Sequence, residues 1–298
     1  MPEVSVIIVC MNRMDNLYPC LNSVMARTQL PYEILVVAYL FSEENLSRAK
    51  KDFPSVEFIV SDRLRGFAEN NNLALRRARG KFCFVLNDDT ELRMPAIDRL
   101  VEDFGKLPEN TAIVSPRLVN ADGSLQLCGR PPYPAFKYVL QQWHLYKEPI
   151  DNGNGLFRTC HISGAAFLIR TELFRSLGWF DERYFFTPED IALSHTAARA
   201  GYQVWCDAGV EVVHKWRTTA TPLAPALRPA SIRGSLIFFS GGKPVKYFLL
   251  GLGVWGAEWT KMLKARLKGR KQEYLTYRNN CRSIFTRLSP KELFERYR

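Results

Sequence analysis

Phe82-Cys83-Phe84-Val85-Leu86-Asn87-Asp88-Asp89-Thr90 joins five apolar residues to a cluster of polar turn formers. An apolar run of that length, bounded by turn chemistry, reads as a buried strand. Carboxylates at the C-terminal end of such a strand stand where open α/β sheets bind their ligands. Two adjacent acids in a partly buried crevice repel one another unless a positive charge neutralises them. A divalent cation that also binds a phosphate meets that need.

Outward from this stretch, Arg65 to Gly80 reads as a loop, a helix over about 68–79 with apolar residues at helical spacing, and Gly80 as its C-terminal cap. Strands at 4–10, 33–37 and 56–60 alternate with helical stretches at 12–27 and 43–51, the pattern of a mostly parallel sheet with crossover helices. Further strands are expected at 112–116, 164–170, 201–205 and 210–214, with a proline-rich break at 129–134 and a helix from Pro188 to Arg199.

With 298 residues, 47% of them hydrophobic and 12% aromatic, the chain can build one large domain with an appendage, or two small domains. The net charge of +11 is unevenly spread. From Leu227 onward sixteen Lys or Arg stand against four Glu, a net of +12, so the preceding residues are close to neutral. The core is therefore not expected to bind nucleic acid. Seven cysteines without a CxxC pair, several inside apolar runs, read as buried free thiols rather than a disulfide framework. Met1 to Val9 lacks the basic start and long apolar core of a signal peptide, so a cytoplasmic location is expected.

The segment Arg65–Thr90 resembles the family 2 glycosyltransferases, in which GFA, an Asn, a helix ending AxG and a strand lead into a DxD-like motif. Asn87-Asp88-Asp89 matches that motif with asparagine in first place. Gly164–His214, with Gly178-Trp179-Phe180-Asp181-Glu182 and Glu189-Asp190-Ile191-Ala192-Leu193, resembles the acceptor half of the same family, and most closely its bacterial rhamnosyltransferases. The resemblance covers about the first 215 positions, and two ordered motif blocks carry more weight than either alone. It implies an α/β GT-A fold, a mostly parallel central sheet flanked by helices. It also implies a nucleotide-diphosphate sugar donor, with dTDP-rhamnose leading, Mg2+ or Mn2+, inverting transfer, and a glycan or polyprenyl-diphosphate-linked acceptor in cell-surface polysaccharide synthesis.

Glycosyl transfer needs the leaving phosphate neutralised and the acceptor hydroxyl deprotonated. Asp89 is the first choice of metal ligand. Asp88 is its neighbour or a ribose contact, and Asn87 fills the slot where the family often has its first acid; solvated turn residues are the alternative. Asp190, in the first turn of a helix, matches the family's catalytic base, although acids are ordinary there. His214, ending an apolar strand, is the candidate further contact to metal or diphosphate. Asn12, Arg13, Arg65 and Asn72 are the remaining expected donor contacts, the arginines toward phosphate.

Two positions depart from the family pattern. Val36-Val37-Ala38-Tyr39 lacks the acid that commonly helps hold the nucleobase, leaving Tyr39 to stack on the base or Glu43 or Glu44 to substitute. Ala192 replaces a second acid, and Thr196 stands where a basic residue is often found. A catalytically degenerate GT-A protein that binds a glycan or a partner is therefore the alternative, and a tail acting alone on membrane or nucleic acid is a third.

In that tail, Tyr247 to Ala257 carries no charge and three glycines, too short for a bilayer span of about 20 residues. A helix lying in the membrane interface, with Trp255 and Trp259 at headgroup depth, fits the pattern. So does a helix packed on the catalytic domain with a solvated basic face. The expected organisation is a GT-A domain over 1–220 and a basic amphipathic helical region over 221–298, peripheral on the inner face of the plasma membrane.

Overall fold

The structure is a computed structural model that describes residues 1–150, 153–215 and 223–298. It divides into two compact units, of which the first comprises Met1–Pro131, Ile150–Asp181 and Glu189–Thr219.

In the first unit the apolar runs build a ten-stranded sheet. β1 (Val4–Cys10), β2 (Tyr32–Tyr39), β3 (Val56–Ser61) and β4 (Phe82–Asn87) lie parallel in the order β3-β2-β1-β4. The sheet continues through antiparallel β9 (Ala166–Arg170) to β6 (Thr111–Val119), β10 (Gln203–His214) and β5 (Thr90–Leu92). Two short strands pair at its side, β7 (Leu125–Leu127) with β6 and β8 (Leu156–Thr159) with β10.

Side chains alternate across the pleat, so each central strand feeds two cores. Val6, Ile8, Val36, Phe84 and Leu86 pack with α1 (Met14–Arg27) and α4 (Ala96–Lys106). Ile7, Leu35, Val37 and Val85 pack with α3 (Phe67–Leu75), α6 (Thr171–Ser176) and α7 (Glu189–Arg199). Strands covered on both faces read as unbroken apolar runs, which is why β1, β2 and β4 stand out in the sequence. From β1 the chain moves outward through β2, α2 (Glu43–Asp52) and β3, then returns to β4 on the other side of β1. At such a reversal, here the C-terminal ends of β1 and β4, open α/β sheets bind their ligands.

Two local expectations change. α3 stops at Leu75, so Gly80 is not its cap. Gly80 is instead needed for a close crossing: a Cβ there would lie 2.5 Å from the Ser5 nitrogen, and its own N–H donates to Ser5 Oγ at 2.8 Å. The two strands expected at 201–205 and 210–214 form one, β10, whose pairing with β6 shifts between Asp207 and Glu211. There Gly209 N donates to Asp207 Oδ1 at 2.7 Å, while Ala208 and Val210 stay buried across the irregularity.

The second unit comprises Pro132–Pro149, Glu182–Pro188 and Ala220–Arg298. It is built from α5 (Ala135–Gln142), α8 (Ala224–Ser240), α9 (Pro244–Leu267), α10 (Lys271–Ile284) and α11 (Pro290–Tyr297). The expected boundary at 220/221 lies outside the described residues, and the unit also draws in two earlier segments. Aromatic packing holds them: Tyr133 and Tyr138 lie 5.6 and 4.9 Å from Phe239, and Phe185 lies 4.7 Å from Phe294. The three glycines of α9 let its neighbours close in, since a Cβ at Gly251, Gly253 or Gly256 would meet Phe285, Val139 or Trp143 at 2.9, 2.7 and 3.0 Å. Among the described residues no helix is long and apolar enough to cross a membrane.

Candidate active site

Strand register carries the expected site residues to one sheet edge. Cys10 pairs with Ala38 at the ends of β1 and β2, and Val9 pairs with Asn87 at the end of β4. β6 and β10 run parallel to β4, so His214 ends β10 at that edge, paired with Thr90 of β5. The start of β9 lies there too, because Asn87 N donates to Ala165 O at 2.9 Å. One residue earlier, Gly164 N donates to Asp190 Oδ2 at 3.1 Å and so brings the first turn of α7 alongside.

Asp88 and Asp89 are 7% and 6% exposed. Burial, then the neighbouring Asp89 charge, push the Asp88 carboxyl up to about 7, with Cys10 and Arg13 acting against the rise. Among the described residues Asp88 Oδ2 has no hydrogen-bond partner. A buried acceptor in that condition costs about 1–3 kcal/mol, so a ligand hydroxyl or cation is the partner its surroundings omit.

Asp89 Oδ1 lies 3.2 Å from His214 Nε2, and Asn87 Nδ2 lies 3.5 Å from the same nitrogen. The far side of the ring is held by Gln126 of β7. Gln126 Oε1 is 2.6 Å from His214 Nδ1, while its Nε2 donates to His214 O at 2.9 Å and to Asn120 Oδ1 at 2.8 Å. Because both amide hydrogens go to oxygens, Oε1 is the end that faces the ring and Nδ1 is the nitrogen that donates. With Nδ1 donating, His214 Nε2 presents a lone pair beside Asp89 Oδ1, an arrangement suited to a shared cation.

The donor set fits a divalent ion that completes its shell elsewhere. Among the described residues no group of three or more His, Cys, Asp or Glu side chains could hold a metal. Asp89 and His214 supply two positions, and an ion such as Mg2+ ordinarily takes substrate phosphates and water for the remainder.

The other expected contacts have local partners. Asn12, with φ of 53°, accepts from Ser42 N at 3.2 Å and Asn45 Nδ2 at 3.0 Å, pinning the start of α2 beside the end of β1. Arg13 is forked onto Asp15, at 3.0 and 2.7 Å. Arg65 pairs with Glu69 at 3.2 Å and donates to Ser61 Oγ at 2.9 Å, and its N–H donates to the Tyr39 hydroxyl at 3.3 Å. Asn72 braces α3 against the turn before Asp181. It is buried, its Nδ2 donates to Phe180 O at 2.9 Å, and its Oδ1 accepts from Phe180 N at 3.1 Å. Its face of α3 points into the core against the Gly178–Phe180 turn.

Sequence reasoning missed Gln126 and His161. His161 is buried with Nδ1 3.3 Å from Pro131 O; burial lowers its pKa against the opposing pull of Asp190. Neither carries a local signal, since each reaches the site through pairing between distant segments.

The family model of glycosyl transferase family 2 matches residues 5–178. The chain belongs to glycosyl transferase family 2. It is 28% identical over 231 residues to O-antigen biosynthesis protein RfbC of Myxococcus xanthus, a match covering 72% of this chain and 17% of RfbC. It is 24% identical over 245 residues to an N-acetylglucosaminyl-diphospho-decaprenol L-rhamnosyltransferase of Mycobacterium tuberculosis, covering 74% of this chain and 78% of that protein. The chain thus spans about a sixth of RfbC's length. Among solved structures, GalNAc-T7 with UDP, GalNAc and Mn2+ superposes with a TM-score of 0.59 at 18% identity, over 83% of this chain and 51% of that one. Mannosyltransferase PcManGT from Pyrobaculum calidifontis, with GDP-Man and Mn2+, superposes with a TM-score of 0.55 at 14% identity, over 99% and 86%. These likenesses establish the GT-A fold of this family 2 member.

Proposed function

We propose that this family 2 member is an inverting, metal-dependent glycosyltransferase. It moves a sugar, rhamnose being the first to try, from a nucleotide-diphosphate donor to a glycan or polyprenyl-diphosphate-linked acceptor. It works in cell-surface polysaccharide synthesis, peripheral on the inner face of the plasma membrane. The observation that carries this reading is the Asp89–His214 pair at 3.2 Å, beside the orphaned Asp88 oxygen at the sheet edge. The names of the two relatives support the sugar and acceptor classes, and the Mn2+ in both structural neighbours supports the ion.

Mg2+ or Mn2+ held by Asp89 and His214 supplies, when bound, positive charge to the leaving diphosphate. Asp88 Oδ2 accepts from a donor hydroxyl. Asp190 takes the acceptor hydroxyl's proton as that oxygen bonds to the anomeric carbon. The bond from that carbon to the diphosphate breaks, its electron pair leaves on the nucleotide, and the configuration inverts. Gly164 N and Ile191 N, at 3.1 and 2.8 Å, hold the two Asp190 oxygens in place for this role.

The degenerate reading draws on one observation: Ala38, fully buried at the end of β2, offers a nucleobase no carboxylate. Thermal stabilisation by a panel of nucleotide sugars, with and without Mn2+, on wild type and Asp89→Ala, separates the two. A metal-dependent shift with one donor, lost in the variant, is expected. No shift with any donor, in folded protein, overturns the catalytic reading in favour of the degenerate one.

A further inference from the structure

α9 carries a partly exposed apolar stripe beside the seat of α5, whose Trp143 packs at Gly256. Gly251, Val254, Glu258 and Ala265 form its buried face, packed with α8 and α10. Along the stripe Val245, Phe248, Leu252, Trp255, Trp259 and Leu267 are exposed, from 38% at Trp255 to 79% at Leu267. Their spacings of three, four and eight residues keep them on one side of an α-helix. At 1.5 Å per residue the stripe runs about 33 Å. Phe285, with its ring 5.7 Å from that of Phe248, widens it at one end. A soluble monomer seldom leaves so continuous an apolar band in water.

Charge narrows what can cover it. The one acid of α9, Glu258, is buried and paired. The exposed charges along and beside the stripe are basic, with Lys243, Lys246, Lys264, Arg266 and Lys268 among them. Trp255 and Trp259 stack with centroids 6.2 Å apart on the exposed side. Tryptophans amid an apolar stripe bordered by lysines suit the headgroup boundary of an anionic bilayer. A second copy of the chain would set lysine against lysine. α9 packs as a helix within its own unit and leaves both apolar and basic residues outward.

We infer that α9 lies flat on an anionic lipid surface, with this stripe at the depth of the headgroups. The inference deepens the membrane location proposed above by naming its surface. It is read without turnover, so its failure leaves donor binding untouched, and failure of donor binding leaves it untouched in turn.

The test uses the full chain in flotation with vesicles of equal parts phosphatidylcholine and phosphatidylglycerol, and with phosphatidylcholine alone. Binding to the anionic vesicles with a blue shift of tryptophan emission is expected. Lys246→Gln and Lys264→Gln should each weaken it about fivefold. The pair Trp255→Ser and Trp259→Ser should weaken it about tenfold or more while circular dichroism shows the helices intact, because each indole is only partly buried. The inference is overturned if the wild type ignores anionic vesicles, or if the double variant binds them equally well. It is also overturned if lipid-free wild type is a dimer that the double variant splits.

Discussion

Glu258 in the helical unit and Asp88 at the sheet edge are both carboxylates withdrawn from water, and the protein treats them oppositely. Glu258 is 0% exposed, and burial alone would raise its pKa. Arg228 and Lys261, each 2.8 Å away, outweigh burial and hold it below the ordinary value, while Asn280 donates to its second oxygen at 2.6 Å. Asp88 is pushed up to about 7 by burial and by Asp89, and among the described residues one of its oxygens has no hydrogen-bond partner. Against this act the Cys10 side chain and, more weakly, Arg13, which is itself forked onto Asp15. A buried acid completed from within is a structural element, whereas one left incomplete marks the place where a ligand supplies what is missing.

The contrast breaks or sharpens under substitution. The largest effect is expected at a third carboxylate, Asp190, whose two oxygens accept from backbone N–H groups. Asp190→Asn keeps the shape, so turnover should fall about a thousandfold while the donor-induced thermal shift remains. Loss of that shift as well would place Asp190 with the structural acids. Next in size, Glu258→Ala leaves Lys261 unpaired in a half-buried site and should cost about 3 kcal/mol in urea unfolding at neutral pH. A folded pKa below the ordinary 4.5 means that the stabilisation is fully present above 4.5 and is lost as pH falls through the lowered value. The deficit of the variant should therefore narrow in acid, and a deficit independent of pH would show that packing, not charge, is what Glu258 contributes.

Much of the sheet and half of the site were legible because their signals are local. β1, β2 and β4 are covered on both faces and so appear as apolar runs, and Asp88, Asp89 and His214 sit where such runs end. What escaped is set by tertiary contact. Gln126 meets His214 across 88 positions of chain. The segment 132–149 joins the tail through aromatic packing that no periodicity announces. Asn72 reads like its neighbours on α3 but turns inward to Phe180. The apolar residues of α9 have the same spelling whether they face a core or the outside, so only the packed structure tells which side is left uncovered.

The two smallest effects probe the open site directly. Gln126→Leu removes the acceptor that selects the donating nitrogen of His214. Mn2+ should then bind about tenfold to a hundredfold more weakly, and nitrogen NMR of the ring should show a mixture of tautomers; unchanged spectra would make Gln126 a packing residue. Asp88→Asn is the subtlest and the most telling. It removes one of two adjacent charges from a buried crevice without changing its shape, so metal-free protein at pH 8 should gain about 1 kcal/mol in urea unfolding. The same amide offers a donor hydroxyl a weaker acceptor and withdraws negative charge from the ion's surroundings, so stabilisation by Mn2+ and nucleotide sugar should shrink. Stability and ligand binding thus move in opposite directions, as expected where a fold tolerates strain for the sake of a ligand. If Asp88→Asn instead destabilises the metal-free protein, its charge is being met from within as that of Glu258 is, and the difference between the two carboxylates disappears.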